Sequence, residues 1–282
     1  MKLWAYVIVW NEELMLPFFL RHYSQFCDKI IIYDNMSTDG SREIIETFKE
    51  KVEIEVVPFE TNGKFNDYVH IELKQRSIQH AKGSADFIIL ADCDEFIFHN
   101  DLRGFLSQHT DHSVFFPAGF QMVSDGFPNP IEFPNLLHQY VGYGEPNPWY
   151  VKPSIVNINL INDLEWVEGA HELDPNIDLG KYYHPIPESI RPLGEYKGHV
   201  WGRWKMLHER LDTFNDEPLK LLHFKFLGFD YVNYRYSQYV NKMSDLNHEK
   251  NVGMQYEVSL RDNSIQSQID EIKSRSIKVN LD

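Results

Sequence analysis

The first hundred residues alternate between short apolar runs and stretches in which apolar residues recur at helical spacing. The apolar runs predict buried strands over 3–10, 29–33, 53–57 and 86–91. Between them the pattern predicts helices from near Pro17, over 41–49 and over 67–82, with Gly83 as a C-terminal cap. Strict alternation of strand and helix favours a mostly parallel sheet with right-handed crossovers, which is an α/β fold.

The second half of the chain has a different pattern. Seven prolines and four glycines fall between Pro117 and Pro153, which predicts loops around short strands. Further elements are predicted here: strands over 151–160 and 220–226, and a Tyr-rich helix over 231–246. Near the end of the chain, Ile265, Ile269 and Ile272 recur at helical spacing. This stripe favours packing on the body of the protein, with a homodimer contact as the alternative.

Composition limits the classes of partner. The chain has 282 residues and a formal net charge of −15, which argues against binding nucleic acid or anionic lipid through bulk electrostatics. Its two cysteines, Cys27 and Cys93, form no disulfide framework, so a reduced compartment is expected. No apolar run approaches the ~18 residues of a membrane span, and no signal peptide precedes the first predicted strand. We therefore expect a cytoplasmic protein with at most peripheral membrane contact.

One short motif predicts chemistry. The apolar run 87–91 ends in Asp92-Cys93-Asp94, and Glu95 follows at once. Ligands bind open α/β sheets at the carboxyl ends of strands, and Mg²⁺ or Mn²⁺ is held there by one or two carboxylates together with water and substrate phosphates. The alternative is a surface turn that contains two aspartates by chance, but five preceding apolar residues disfavour it. The motif predicts a metal ion that bridges a diphosphate.

The ends of the first two predicted strands carry further polar residues. Asn11 and Glu12 follow the first strand, where they would either face a nucleotide base or cap the next helix. Asp34 and Asn35 end the second strand and are followed by turn residues, 37–40. They would either build that turn through side-chain to backbone hydrogen bonds or contact the base. Both alternatives stay open for both pairs.

These residues carry a resemblance to a known family. The matching segments are Val-Ile-Val-Trp-Asn-Glu at 7–12, Leu-Pro-Phe-Phe-Leu-Arg-His-Tyr at 16–23, Ile-Ile-Tyr-Asp-Asn-Met-Ser-Thr-Asp-Gly-Ser at 31–41 and Asp-Cys-Asp-Glu-Phe at 92–96. They resemble family-two-like glycosyltransferases, and most of all the galactan synthase-related branch. The resemblance is specific over 3–98 and thinner afterwards. It implies a GT-A fold, a nucleotide-sugar donor, a divalent metal and inverting transfer to a glycan or glycolipid acceptor.

The resemblance also implies roles for the motif residues. Asp92 is expected near the ribose or a metal-bound water, and so counts among both the nucleotide-binding and the metal residues. Asp94 is expected as a ligand of the Mn²⁺ or Mg²⁺ ion that bridges the two phosphates. Glu95 is expected to orient the loop or to touch the sugar. A UDP-sugar is the favoured donor, although Asn35 stands where the family often has an aspartate. That departure leaves open whether Asp34 or Asn35 contacts the base.

Residues of the second half complete the expected site. GT-A enzymes often supply a late histidine as a metal ligand, and neutral imidazole suits Mn²⁺. His223, in the predicted strand 220–226, is the candidate, with an ordinary structural histidine as the alternative. Lys152 and Lys225 are candidates for phosphate or sugar contacts. We expect one domain, in which about 1–115 binds the nucleotide sugar and about 116–282 binds the acceptor and contributes the C-terminal helices.

Inverting transfer needs a general base that removes a proton from the attacking hydroxyl. Glu172 is the preferred candidate because it follows a Gly169-Ala170 turn and stands beside His171, which could orient it or contact the sugar. The alternative is an exposed surface pair. The other carboxylates considered are Asp125, Glu145, Glu168 and Asp174.

Two other functions use similar features. A sugar-nucleotide nucleotidyltransferase has a related sheet and also binds metal, but it needs a phosphate loop rich in glycine and arginine after the first strand. Asn11-Glu12-Glu13 stands there instead. A non-catalytic carbohydrate-binding protein would not need the intact Asp92 and Asp94. Both features favour the transferase.

Overall fold

A computed structural model describes residues 1–128, 135–166, 173–174, 178–186 and 207–281 of the chain. Within these residues the strands are β1 (Leu3–Val9), β2 (Lys29–Asp34), β3 (Glu53–Pro58), β4 (Phe87–Leu90), β5 (Glu95–Phe98), β6 (Val114–Phe115), β7 (Ala118–Ser124), β8 (Tyr143–Pro146), β9 (Ile155–Asn157), β10 (Lys220–Leu227) and β11 (Ile277–Lys278). The strands predicted for the first hundred residues are confirmed to within one residue at each end.

The same residues contain helices on both sides of these strands. The α-helices are α1 (Leu16–Tyr23), α2 (Ser41–Phe48), α3 (Asp67–Ala81), α4 (Leu102–Gln108), α5 (Phe229–Lys242), α6 (Asp245–Lys250), α7 (Met254–Arg261) and α8 (Ile265–Arg275). Short 3₁₀ turns cover Leu137–Gln139, Pro148–Tyr150 and Leu211–Asp216. Pro17 lies in the first turn of α1, where its missing N–H costs no hydrogen bond, and Gly83 has a positive φ of 71° just after α3.

Six strands form the first sheet, in the order β3-β2-β1-β4-β9-β6. β3, β2, β1 and β4 are parallel to one another, and β9 runs antiparallel to both β4 and β6. The strand predicted over 151–160 is shortened to β9, because Pro153 lacks an N–H for the ladder and Asn157 starts a turn by accepting from the N–H of Asn159 at 3.1 Å. The mostly parallel sheet predicted from the alternation of strands and helices in the first hundred residues is confirmed.

A second sheet of five strands, β11-β8-β7-β10-β5, was not predicted as a separate layer. β5 begins directly after the Asp92-Cys93-Asp94 motif and pairs antiparallel with β10, so that Glu95 lies opposite His223. β10 is parallel to β7 on its other side, where Gln121 lies opposite His223. This register brings two distant parts of the chain, those with Gln121 and His223, next to the motif.

Helix α1 holds the second sheet against the first through the free edge of β5. The Tyr23 hydroxyl donates to the Glu95 carbonyl at 2.9 Å and accepts from the Ile97 N–H at 3.0 Å. The His22 Nε2 lies 2.8 Å from the Ile97 carbonyl oxygen, to which it donates. Side chains therefore satisfy backbone groups that an edge strand would otherwise leave without a partner.

The C-terminal helices close over the sheet edge. The helix predicted over 231–246 is in fact two, α5 and α6, because Met243 is extended and the Ser244 side chain caps α6 by accepting from the Asn247 N–H at 3.1 Å. The backbone of Phe65 hydrogen-bonds to both Lys242 and Ser244, at 2.6 and 3.0 Å. These bonds join the residue just before α3 to the junction between α5 and α6.

The isoleucine stripe near the end of the chain forms the buried face of α8. Ile265, Ile269 and Ile272 pack with Val123 and Phe226 in a cluster of their own, as predicted. Within the described ranges, no helix combines the length and the apolar character that crossing a membrane requires.

Candidate active site

A cavity of about 710 Å³ opens where the carboxyl end of β4 meets β10 and the helices α3, α5 and α7. Its charged lining comprises Glu12, Asp67, Asp92, Asp94, Glu95, Lys74, Lys225 and Arg235. Its aromatic lining comprises Trp10, Phe65, Trp149, Tyr150, Tyr236, Tyr239 and Tyr256. Most of these side chains come from outside the motif that the sequence singled out.

Asp92 is the more exposed of the two motif aspartates, with half of its side chain open to solvent. Its Oδ1 lies 3.3 Å from the Lys74 Nζ, and its Oδ2 lies 3.7 Å from the Lys152 Nζ. Burial acts to raise the pKa of Asp92, but the two ammonium groups outweigh it and hold the pKa below its ordinary value. Asp92 is an ionised acceptor that faces the cavity.

Lys152 stands behind this carboxylate and does not line the cavity. It is 2 % exposed, and its Nζ lies 2.5 Å from the Glu95 Oε1. The Glu95 Oε2 in turn accepts from the Asp92 backbone N–H at 3.1 Å. Burial raises the pKa of Glu95, against the effect of Lys152. The buried pair fixes the shape of the motif loop from behind.

Asp94 is buried and faces a different set of groups. Its Oδ2 lies 3.1 Å from the Arg235 Nη1 and 3.6 Å from the His223 Nε2. Burial acts to raise the pKa of Asp94, but Arg235 and then His223 outweigh it, and the pKa is lowered. The two motif aspartates thus have different partners. Asp92 lies beside two lysines, and Asp94 lies beside an arginine and a histidine.

The hydrogen bonds of Gln121 set the tautomer of His223. The Gln121 Nε2 donates to the backbone carbonyl of His223 at 3.1 Å, so its Oε1 faces the ring, 3.0 Å from the His223 Nδ1. The Nδ1 therefore carries the proton, and the Nε2 presents a lone pair towards Asp94. Burial lowers the pKa of His223 to about 3, which keeps the ring neutral.

This pair fits a divalent cation. A neutral imidazole nitrogen and a carboxylate oxygen, both electron-pair donors, face each other, and the histidine is oriented by a hydrogen bond to its other nitrogen, as is usual for metal-bound histidine. No group of three or more His, Cys, Asp or Glu side chains that could hold a metal occurs in the part of the chain that the structure describes. The protein would supply two ligands, and water and phosphate would complete the shell.

Arg235 is a site residue that the sequence reasoning missed. It projects from α5, where the hydroxyls of Tyr231 and Tyr239 accept from its guanidinium at 2.8 and 2.5 Å. Its Nη2 also donates to the Glu12 Oε1 at 3.1 Å, and burial raises the pKa of Glu12 to about 7 despite this contact. The signal was present in the sequence, because Tyr231, Arg235 and Tyr239 are spaced four apart on one face of a helix.

Helix α3 contributes two further residues that were missed. Lys74 contacts Asp92, and His70, one turn earlier, lines the same cavity. Burial lowers the pKa of His70 to about 4, so the ring is neutral. Their i, i+4 spacing places both on one helical face, which is the signal that a sequence reading could have used.

Lys225 lies two residues after His223 on β10 and faces the same cavity. In the described part of the chain no carboxylate lies within ion-pair distance of its Nζ, which instead lies 5.2 and 4.8 Å from the ring centroids of Tyr236 and Tyr256. Burial lowers the pKa of Lys225 to about 8. Its charge is therefore directed at whatever occupies the cavity.

The polar residues at the ends of β1 and β2 are engaged with neighbouring loops. The Asn11 Oδ1 accepts from the Thr38 N–H at 2.8 Å. Asp34 accepts from the Ser37 N–H at 2.9 Å and from the Arg42 Nε at 3.0 Å. The Asn35 side chain exchanges hydrogen bonds with Thr61. Asn11, Asp34 and Asn35 do not line the large cavity, although Asn11 lines a smaller groove beside it.

The candidates for the general base divide into two groups. His171, Glu172 and Glu168 lie outside the described residues. Asp125 pairs with Lys273 at the surface, Glu145 pairs with Arg275, and Asp174 is half-buried near Glu165. Asp125, Glu145 and Asp174 do not line the cavity.

Comparison with known sequences identifies the class of protein. Residues 5–145, half of the chain, match the family described as glycosyl transferase family 2. The chain belongs to this family and is a glycosyltransferase, as the resemblance predicted, and its α/β fold is of the GT-A type. No curated protein matches the chain.

Several solved structures are distantly similar. The Staphylococcus aureus TarS 1-349 structure is 14 % identical, with 91 % of this chain and 70 % of that chain covered and a TM-score of 0.43. Glucosyl-3-phosphoglycerate synthase from Mycobacterium tuberculosis, solved with Mn²⁺ and UDP, is 19 % identical over 43 % of this chain and 44 % of that one, at 0.30. Core-mannan synthase A from Aspergillus fumigatus, in its Mn/GDP form, is 12 % identical over 44 % and 43 %, also at 0.30.

Proposed function

We propose that the protein is a metal-dependent inverting glycosyltransferase that moves a sugar from a nucleotide-sugar donor, with a UDP-sugar favoured, to a glycan or glycolipid acceptor. The observation that carries the proposal is the pair formed by Asp94 and His223, in which the Gln121 side chain turns the imidazole lone pair towards the carboxylate. An imidazole nitrogen and a carboxylate oxygen that face each other are the kind of donors that Mn²⁺ binds. The segments at 7–12 and 31–41 support a place in the galactan synthase-related branch.

The charge of the cavity supports metal dependence. Five lining carboxylates (Glu12, Asp67, Asp92, Asp94 and Glu95) and three lining cations (Lys74, Lys225 and Arg235) leave two excess negative charges when all are ionised. A donor diphosphate adds further negative charge to a protein whose formal net charge is already −15. A divalent cation at Asp94 and His223 would offset this repulsion.

Each residue has a proposed task in donor binding. Bound Mn²⁺ or Mg²⁺ would supply Lewis-acid stabilisation of the leaving nucleoside diphosphate. Asp92, held ionised by Lys74, accepts from the ribose or from water, and Lys225 offers its ammonium to a phosphate. Lys152 and Glu95 keep the motif loop in shape.

The nucleotide half of the chain holds the donor, and the acceptor half supplies the base. Asn11, Glu12, Asp34 and Asn35 stay on the nucleotide side. Asn11, Asp34 and Asn35 also fix the loops there, and Glu12 accepts from Arg235. Glu172, oriented by His171, is proposed to remove the proton of the attacking hydroxyl, with Glu168 as the next candidate. Asp125 is not kept as a candidate, because it pairs with Lys273 at the surface. The buried, unpaired Cys27 and Cys93 fit a cytoplasmic enzyme.

Calorimetry of nucleoside diphosphates tests the metal part of this proposal. A thermal-shift screen of nucleotide sugars first selects the base, since a ligand that binds only the folded state raises apparent stability. The selected diphosphate is then titrated with Mn²⁺ and with EDTA. We expect His223→Ala to weaken Mn²⁺-dependent binding while leaving metal-free binding nearly unchanged. His112→Ala, at a partly buried histidine that pairs with Asp111 away from the cavity, is the matched control. Equal affinity of the wild type with Mn²⁺ and with EDTA would reject metal dependence.

Product stereochemistry tests the chemical part. Anomeric proton couplings of the product should report inversion, and Glu172→Gln should reduce transfer by orders of magnitude while donor binding is retained, because the amide keeps the shape but removes the basicity. Retention of configuration, or near-normal turnover by Glu172→Gln, would overturn this assignment.

A further inference from the structure

The guanidinium of Arg235 is held on the cavity wall by its own helix. Tyr231 and Tyr239, four residues away on either side, accept from its Nη1 and Nη2 at 2.8 and 2.5 Å. The Tyr231 and Tyr239 ring centroids lie 5.7 and 5.5 Å from the Cζ. These contacts come from α5 and leave other N–H groups directed at the sheet edge. The position of the positive charge therefore does not depend on the carboxylates alone.

The carboxylate contacts of Arg235 coincide with the candidate metal position. The Asp94 Oδ2 is 3.1 Å from the Arg235 Nη1, and the same atom is the one that lies 3.6 Å from the His223 Nε2. A divalent cation that joined Asp94 and His223 would use the oxygen that Arg235 already neutralises. Two positive groups at one oxygen repel each other, so the ion and the guanidinium compete for it.

A donor diphosphate offers Arg235 another partner in the same cavity. The planar guanidinium has five N–H donors in a fork that matches phosphate oxygens as well as it matches carboxylates. Arg235 lines both this cavity and the smaller groove beside it. Its contact with Glu12 would persist through the Nη2.

We propose that Arg235 is a donor-binding residue that is exchanged between two partners: it neutralises Asp94 while the site is empty, and it contacts the donor's diphosphate once a divalent cation takes Asp94. The inference rests on the proposed metal-dependent function. The exchange makes the binding of the metal ion and of the diphosphate cooperative. The diphosphate draws Arg235 away from Asp94, where Arg235 competes with the metal ion. The metal ion in turn frees Arg235 to contact the diphosphate. By linkage, each ligand strengthens the binding of the other by the same factor.

Two binding measurements on Arg235→Gln test the exchange. Free Mn²⁺ is counted by electron paramagnetic resonance without nucleotide, and diphosphate binding is measured by calorimetry at saturating Mn²⁺ with whichever of UDP and GDP binds the wild type. We expect Arg235→Gln to bind Mn²⁺ several-fold more tightly and the diphosphate at least tenfold more weakly. A residue that only supports the fold would weaken both. Arg103→Gln, which breaks a pair with Asp28 away from the cavity, is the matched control and should change neither.

The contrary results are distinct from a failure of the proposed function. If the wild type binds the diphosphate equally well with Mn²⁺ and with EDTA, the metal-dependent function fails. If the wild type binds Mn²⁺ but Arg235→Gln binds it no more tightly, or binds the diphosphate unchanged, only the exchange fails. Should Arg235→Gln not fold, a crystal structure of the wild type with Mn²⁺ and the diphosphate decides the question. A guanidinium that remains on Asp94 without a phosphate contact would overturn the inference.

Discussion

The two sheets meet at the cavity but use their polar side chains in different ways. At the carboxyl ends of β1 and β2, Asn11, Asp34 and Asn35 direct their polar atoms to the loops that follow. On β10, His223 and Lys225 line the cavity. The first sheet therefore supplies a fixed frame, and the second sheet supplies groups that face a ligand.

This difference shows that a strand-end position does not by itself make a ligand contact. A polar side chain contributes to binding only with lone pairs or protons that its own loop has not already used. Asp92 and Asp94 lie on the connection from β4 to β5, where the frame passes into the second sheet. Substitutions in the frame should therefore change stability, and substitutions beyond this connection should change binding.

Asp94→Asn should have the largest effect. Loss of the charge that would hold the cation should reduce Mn²⁺-dependent diphosphate binding on the order of 100-fold or more, beyond the range that is typical for groups behind the ligands. The fold should persist because the residue lies at a strand end. Calorimetry in Mn²⁺ and in EDTA measures the loss, and denaturation checks the fold. Unchanged Mn²⁺ dependence in this variant would place the metal elsewhere.

Gln121→Leu should have the next largest effect. The substitution keeps a similar volume but removes the acceptor that fixes the proton on the His223 Nδ1. Mn²⁺ affinity should fall roughly 10- to 100-fold, as for other residues that orient metal-bound histidines. Titration followed by electron paramagnetic resonance provides the measurement. An unaltered affinity would mean that this hydrogen bond does not orient a ligand.

Asp34→Asn should test the frame. The change removes the charge that pairs with Arg42 and weakens the bond from the Ser37 N–H. Because Asp34 is buried, the free energy of unfolding should fall by about 1–3 kcal/mol, while Mn²⁺ affinity stays within about twofold of the wild type. Urea denaturation and Mn²⁺ titration on the same preparation separate the two. A loss of binding without a loss of stability would instead make Asp34 a ligand contact.

His22, whose contact with β5 joins the two sheets, should have the smallest effect. This effect is on stability, and it depends on pH. Burial lowers the pKa of His22 to about 3, so the unfolded chain binds a proton more readily than the folded one between that value and about 6.5. The resulting stability is present above pH 6.5 and is lost as pH falls towards 3. His22 should account for about 0.7 kcal/mol lost between pH 7 and pH 6. His22→Gln, whose amide can still donate to the Ile97 carbonyl, should lose that share of the pH dependence in thermal unfolding. If the stability of His22→Gln declined as steeply with falling pH as that of the wild type, the decline would belong to other groups, such as His70.

Local pattern predicted the frame well, because each of its strands and helices is encoded in a short segment. Asp92 and Asp94 stand directly after a buried strand, so their position at the sheet edge followed from a few residues. His223 was proposed by resemblance, and its partner Gln121 lies 102 residues away on another strand. Arg235 lies 223 residues from Glu12. Contacts of this kind depend on strand register and helix packing, which no local periodicity specifies.

The hydrogen bonds between Phe65 and the junction of α5 and α6 affect when the cavity can form during synthesis of the chain. The backbone of Phe65 bonds to Lys242 and Ser244, and the Asn247 side chain donates to Asp67 across 180 residues at 2.8 Å. A nascent chain that has emerged only as far as Asp92 contains the parallel strands, but not the wall formed by α5 and α7. A cavity of this shape is therefore completed only after α7 has been made, and shorter nascent chains expose Trp10 and Phe65 without enclosing a ligand.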